Sequence, residues 1–198
     1  MINKKEFFFF FLICLFIQLY GFGAMNAENL IKSLSEKSEK ERANVKQVFL
    51  TQQKEYVQAL LRIVAKPIVE GEPFFDDSPR NSAIFLLGEM RSPEAVDELV
   101  KWVVIKQGQF AKVTETPRSS PAGLALEKIG LPAVPALSEA IKSSKNKYNA
   151  IEYGRIVFFI KGKLDSINYF KRILEKTKEE NARQNINYVI EFIEKIKE

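Results

Sequence analysis

The residues that could do chemistry are few in this chain of 198 residues, which has no histidine and a single cysteine, Cys14. Without imidazole there is no Ser-His-Asp or Cys-His nucleophile pair, no HExxH zinc site and no histidine general base. Carboxylate, lysine, tyrosine and serine chemistry remain. Paired acids occur at Asp76-Asp77 and at Glu70 with Glu72, all within one loop that also carries proline and glycine. A glycosidase needs two carboxyls about 5 to 10 Å apart across a cleft. Adjacent acids ahead of a helix are more simply explained as its cap. EF-hand spacing is absent around Asp76 and Asp77, and so are a Gly-rich phosphate loop, a nucleophile elbow and a dinucleotide fingerprint. The sequence therefore predicts no catalytic residue, no metal site and no cofactor.

The N-terminus points to an address. Lys4 and Lys5 precede an apolar run from Phe7 to Phe22, and small residues follow at Ala24 and Ala27. A basic start, an apolar core and a small-residue exit have the form of a secretory signal peptide, expected over residues 1–27. The run is marginal for a permanent span of a bilayer about 30 Å thick, so an uncleaved anchor is the lesser alternative. Cleavage after Ala27 would put Met25 at the position that prefers a small residue, which leaves Ala24 as a competing site. Cys14 lies inside the run and is preceded by Ile13 where a lipoprotein signal has a small residue, so it is expected to leave with the signal. A mature chain without cysteine or histidine has no disulfide and lacks the usual zinc, copper and iron ligands. It is expected in the periplasm or outside the cell, with no stable membrane insertion after cleavage.

Thirty Lys+Arg against twenty-five Asp+Glu leave a formal charge of +5. The excess is small and the lysines alternate with glutamates, as in EKSEKER, so no basic stripe interleaved with aromatics marks a nucleic-acid interface. Weak association with anionic surfaces is compatible with this charge.

The elements behind these residues are helical. Residues 29–64 read as helix, with Val45, Val48, Phe49, Tyr56, Leu60 and Val64 at three- and four-residue steps. Prolines and a glycine between residues 67 and 79 end this segment. Residues 78–103 then predict two short antiparallel helices. The first carries Ala83, Phe85 or Leu86, and Leu87, and is closed by Gly88; the second follows a cap at Ser92-Pro93 and carries Ala95, Val96, Leu99 and Val103. A second copy over residues 120–142 carries Leu124, Ala125 and Ile129 before Gly130, then Ala133, Val134, Leu137 and Ile141. The second-helix ladders superpose at a constant offset of 38 residues. A weaker third copy over 148–176 places Ile156, Phe159 and Ile160 on its first helix and Ser166, Ile167, Phe170 and Leu174 on its second. The last amphipathic helix, from Glu179 to Lys197, has the polar outer surface of a terminal cap.

The segments LGEMRSPEAVDEL and KIGLPAVPAL resemble the helix-turn-helix unit of HEAT repeats, a resemblance that covers residues 78–176 and leaves out the N-terminal helix. It implies an all-α fold, an α-solenoid of about three helix pairs forming a repeat domain (residues 73–198) closed by the C-terminal helix; the long N-terminal helix ahead of it, within a helical segment of residues 28–72, is read from its own apolar spacing. It also implies a scaffold or adaptor that binds another protein; the alternative is a HEAT-type enzyme with carboxylate and aromatic groups in its groove. Stacked pairs leave a regular surface of second-helix side chains, over which recognition is distributed. The only tryptophan, Trp102, sits on such a helix, yet its ladder equivalents are Ala140 and Ile173, so packing between repeats explains it more simply than a binding hot spot. The adjacent column, Lys101, Glu139 and Arg172, is polar in every copy. Those three, with Glu98, Trp102 and Tyr169, are the expected partner-binding residues, and the expected function is non-enzymatic.

Overall fold

The computed structural model describes residues 53–67, 78–104 and 120–196, and the side chains from Tyr56 onward. The expected signal peptide, residues 28–52, the acidic loop with Glu70, Glu72, Asp76 and Asp77, and the connector 105–119 lie outside the described residues. Among the described residues the chain is all-helical, with no strand. The helices are α1 (Gln53–Val64), α2 (Pro79–Glu89), α3 (Val96–Val103), α4 (Pro121–Ile129), α5 (Val134–Lys142), α6 (Lys147–Lys161), α7 (Lys163–Lys176) and α8 (Glu180–Lys195). Short 3-10 turns, Pro93–Ala95 and Leu131–Ala133, lead into α3 and α5.

Helix starts follow local chemistry. Ser78 and Ser120 each accept a hydrogen bond from the backbone N–H three residues on, Asn81 at 3.1 Å and Gly123 at 3.3 Å, and each is followed by a proline that has no N–H to orphan. Asn146 caps α6 in the same way, its Oδ1 accepting from the N–H of Asn149 at 3.0 Å. Ser92 departs from the expected cap: its hydroxyl donates to Glu94 Oε2 at 2.8 Å and accepts no backbone N–H. The proline after it opens a 3-10 turn, and α3 begins only at Val96.

Helix ends bring the second correction. Gly130 (φ 81°) and Gly162 (φ 79°) end α4 and α6 in the left-handed region that glycine enters without a Cβ penalty. Gly88 does not close α2. It lies buried inside the helix, where a Cβ would come within 2.7 Å of the Ala125 Cα, so its missing side chain permits α2 and α4 to cross closely. The terminator is Arg91, at φ 49°: its N–H donates to Gly88 O at 3.0 Å and the N–H of Ser92 to Leu87 O at 3.2 Å. This paired arrangement satisfies two end carbonyls of the helix.

Packing alternates along the chain. α2 packs on α4, α4 on α6 and α6 on α8, while α1, α3, α5 and α7 each pack on the helix that follows them. The α6 to α8 crossing is again set by a glycine, since a Cβ on Gly154 would come within 2.3 Å of Val189. One apolar core runs from Tyr56 to Ile193. Within it the expected ladders are buried at most positions, Ala95, Val96 and Leu99 on the way into α3, Ala133, Val134, Leu137 and Ile141 into and along α5, and Ser166 and Phe170 in α7, whereas Val103, Ile167 and Leu174 are half-buried. Ser166 is fully buried where the other copies have alanine, and its hydroxyl donates to Val157 O at 3.3 Å, which removes the cost of an unpaired polar group. Of the alternatives Phe85 and Leu86 it is Leu86 that is buried while Phe85 turns outward; Phe159, expected on the apolar face, also turns outward, and Ile156 and Val157 are among the residues that α6 buries instead. No described helix is long and apolar enough to cross a membrane.

Candidate interaction face

Of the six expected site residues, Glu98, Lys101 and Trp102 form one hydrogen-bonded group, Tyr169 bonds to Ser138, Glu139 pairs with Lys142, and Arg172 is exposed. On α3, positions 98, 101 and 102 share a helix face by their three- and four-residue spacing. The Glu98 carboxylate accepts from Lys101 Nζ at 2.7 Å and from Trp102 Nε1 at 3.2 Å. Lys101 is exposed, and its bond to Glu98 followed by that carboxylate's charge hold its pKa above the ordinary lysine value. Trp102 is half-buried, its ring packed against the core and its indole N–H satisfied.

On α5 and α7 the second group forms around Ser138. That hydroxyl is buried, donates to Val134 O at 2.8 Å, and lies 3.0 Å from the Tyr169 hydroxyl. The half-buried Tyr169 is thereby fixed against α5, with the Lys161 ammonium 5.3 Å from its ring centroid. Beside it Glu139 is exposed and pairs with Lys142 at 2.6 Å. Arg172 is exposed on α7. The polar column Lys101, Glu139 and Arg172 is exposed at all three positions, whereas Trp102, Ala140 and Ile173 are all half-buried against the core.

Arg80 is the residue that sequence reasoning missed. It is 5% exposed, and its Nη1 donates to Val64 O at 2.5 Å and Lys66 O at 2.6 Å, with Nη2 to Pro67 O at 3.3 Å. The guanidinium thus closes the C-terminus of α1, where end carbonyls and the helix dipole both favour a cation. Its other face lies 4.2 Å from the Trp102 ring centroid, so the tryptophan covers a buried cation. A signal existed: Ser78-Pro79 and Ser120-Pro121 open equivalent helices, and the next residue is Arg80 in one and the buried Ala122 in the other. A charge at a position that is core in the sister copy needs a specific partner.

A groove of about 240 Å³ lies between α1 and the turn after α2, lined by Val57, Gln58, Met90, Arg91, Ser92, Pro93 and Glu94. Glu94 is the one carboxylate in that lining, and it accepts from Ser92. No group of three or more acidic, histidine or cysteine side chains converges among the described residues. Compared with known proteins, the chain matches no family model, no curated relative and no solved structure.

Proposed function

We infer that the chain is an exported HEAT-like α-solenoid protein, in which residues 1–27 are removed, residues 28–72 form an N-terminal helical segment and residues 73–198 form the repeat domain. Its role is that of a non-enzymatic scaffold that binds another protein through its second helices, α3, α5 and α7. The observation that carries this reading is the matched register of those helices: the column Trp102, Ala140 and Ile173 is half-buried against the core in each copy, and the column beside it, Lys101, Glu139 and Arg172, is exposed in each. A face built in register along successive helices suits an extended partner, with charged side chains setting orientation and encounter rate more than raw affinity. Glu98 and Tyr169 are held in place by Trp102 and Ser138, so they present fixed polar atoms at little cost in side-chain entropy.

The test is affinity purification of the tagged chain from its native cells, beside a variant carrying Lys101→Glu, Glu139→Lys and Arg172→Glu. A protein that co-purifies with the wild type and is depleted about tenfold or more with the variant, a loss of about 1.4 kcal/mol, is the expected result. Equal recovery would remove the face from the reading. Export is checked separately by sequencing the N-terminus from fractionated cells: a start after Ala27 or Ala24 in the exported fraction is expected, and an intact Met1 in the cytosol overturns it.

A further inference from the structure

Arg80 and Trp102 are large where the next pair of helices is small. In α4 and α5 the equivalent residues are Ala122, 1% exposed, and Ala140, half-buried against the core. The two small residues show that a pair of helices stacks in this array without such a contact. The large ones stand in α2 and α3, the pair against which α1 packs. They therefore mark the junction between the N-terminal helical segment and the repeats.

A continuous line of contacts crosses that junction. Three carbonyls at the end of α1, those of Val64, Lys66 and Pro67, accept from the Arg80 guanidinium. A planar cation held by three acceptors cannot turn without breaking them. Its Cζ lies over the Trp102 ring, 4.2 Å from the centroid. The indole N–H donates to Glu98 Oε1 at 3.2 Å, and Glu98 Oε2 accepts from Lys101 Nζ at 2.7 Å. By themselves the last two contacts hold little, because side-chain pairs three and four residues apart on a wet helix surface are weak. The Lys101 side chain is 66% exposed. Arg80 is nearly buried, and the attraction between a cation and an aromatic face grows as water is removed from it. The firm hold on the ring, and through the ring on Glu98, comes from the buried side.

We propose that Arg80 is a positioning residue for the interaction face: the docked end of α1 fixes Arg80, Arg80 fixes the Trp102 ring, and the ring fixes the carboxylate that Glu98 presents. The N-terminal segment thereby governs the order of the first second helix. Tyr169, elsewhere on the face, is held from within the repeats by Ser138. This inference rests on the reading of α3 as part of the binding face and supplies its regulation. Whatever lifts the end of α1 frees Glu98, and a partner cation that draws Glu98 away from Trp102 loosens α1, since coupling between two sites is reciprocal.

The chain has one tryptophan, so a single indole N–H resonance reports this line of contacts in the full chain with no partner present. Arg80→Lys keeps a cation and its donors but loses the planar fork. The expected result is exchange of the Trp102 indole N–H about tenfold faster, as for one lost hydrogen bond, with the amide protection of α4 and α6 retained. Unchanged indole exchange overturns the proposal. The reverse direction is read in Glu98→Ala, a change outside the core. The backbone N–H groups of Ala65 and Lys66, which donate to Leu61 O and Ile63 O, should exchange about threefold faster than in the wild type. In a Trp102→Leu background the same substitution should leave them unaltered. No change at Ala65 and Lys66, or an equal change without Trp102, overturns the proposal. Neither measurement contains a partner, so a failure here leaves the face of α3, α5 and α7 standing. Equal recovery in the affinity purification removes that face and leaves the coupling itself measurable.

Discussion

Six helices of the array stop by one of two means according to the end they reach, α8 being the exception, since Lys163 Nζ donates to Ile196 O at 2.6 Å beside the backbone-closed turns. At the end that carries the exposed Leu131 and Leu164, α2, α4 and α6 stop through backbone conformation alone: Arg91, Gly130 and Gly162 take positive φ and nearby N–H groups meet the last carbonyls. At the opposite end, α1, α5 and α7 take side chains delivered from elsewhere, at α5 and α7 in addition to the local hydroxyls of Ser144 and Thr177. Arg80 closes α1, Asn185 donates to Ser144 O at 2.8 Å and Lys142 O at 3.4 Å after α5, and Arg183 donates to Leu174 O and Thr177 O after α7. A turn closed by its own backbone leaves its side chains unconstrained, so it can present apolar tips at small cost in stability. An end closed by long-range side chains ties neighbouring helices together and tolerates little change.

The largest effect is therefore expected at Arg80. Arg80→Ala removes bonds to three carbonyls and uncovers one face of Trp102, and should cost about 3 kcal/mol in urea unfolding, with loss of hydrogen-exchange protection concentrated in α1. A cost within about 0.5 kcal/mol, the range of an ordinary surface substitution, would mean that the guanidinium is not what holds α1 to α2. Asn185→Ala follows at about 1 to 2 kcal/mol, because the carboxamide is buried and bridges more than forty residues of chain. Asn185→Asp should do at least as much harm, since it turns a donor into an acceptor facing two carbonyls.

These two ends were not equally legible from the amino-acid sequence. The ladders Ala95-Val96-Leu99 and Ala133-Val134-Leu137 could be read because a 3.6-residue period needs no knowledge of neighbours. Gly130 was readable as a terminator because an apolar stripe ends beside it. Gly88 has the same sequence setting and a different cause, the approach of Ala125 from 37 residues away, and no local pattern distinguishes a terminating glycine from one that permits a crossing. Arg91 was hidden because an arginine with positive φ is held by its surroundings and not by its own preference. The side-chain caps were hidden more deeply: Asn185 on α8 reads as one polar residue on a helix whose outer surface is already polar, and only the fold reveals that it turns inward. Of the candidate face, the exposure of Lys101, Glu139 and Arg172 was legible by register, while the Glu98 to Trp102 and Ser138 to Tyr169 bonds depend on rotamers and on helix spacing.

The smallest effects belong to the backbone-closed turns, and here the sign differs between two positions that share only a positive φ. Gly130→Ala places a Cβ at φ 81° and should cost about 1 kcal/mol, although open space surrounds the position. Arg91 is the reverse case: an L-residue already sits at φ 49°, with its side chain exposed. Arg91→Gly relieves the conformational strain of the folded state while adding freedom to the unfolded chain, and these oppose each other. The strain is the larger of the two for a residue with a long side chain, so a gain of about 0.5 kcal/mol is expected, read as a higher urea midpoint at unchanged slope. A loss of stability instead would show that the Arg91 side chain, which lines the groove beside Val57 and Pro93, contributes more by covering α1 than its backbone costs. In that event the stop of α2, assigned to backbone conformation, would also depend on a side chain reaching back to α1, and the difference between the two ends would be one of degree.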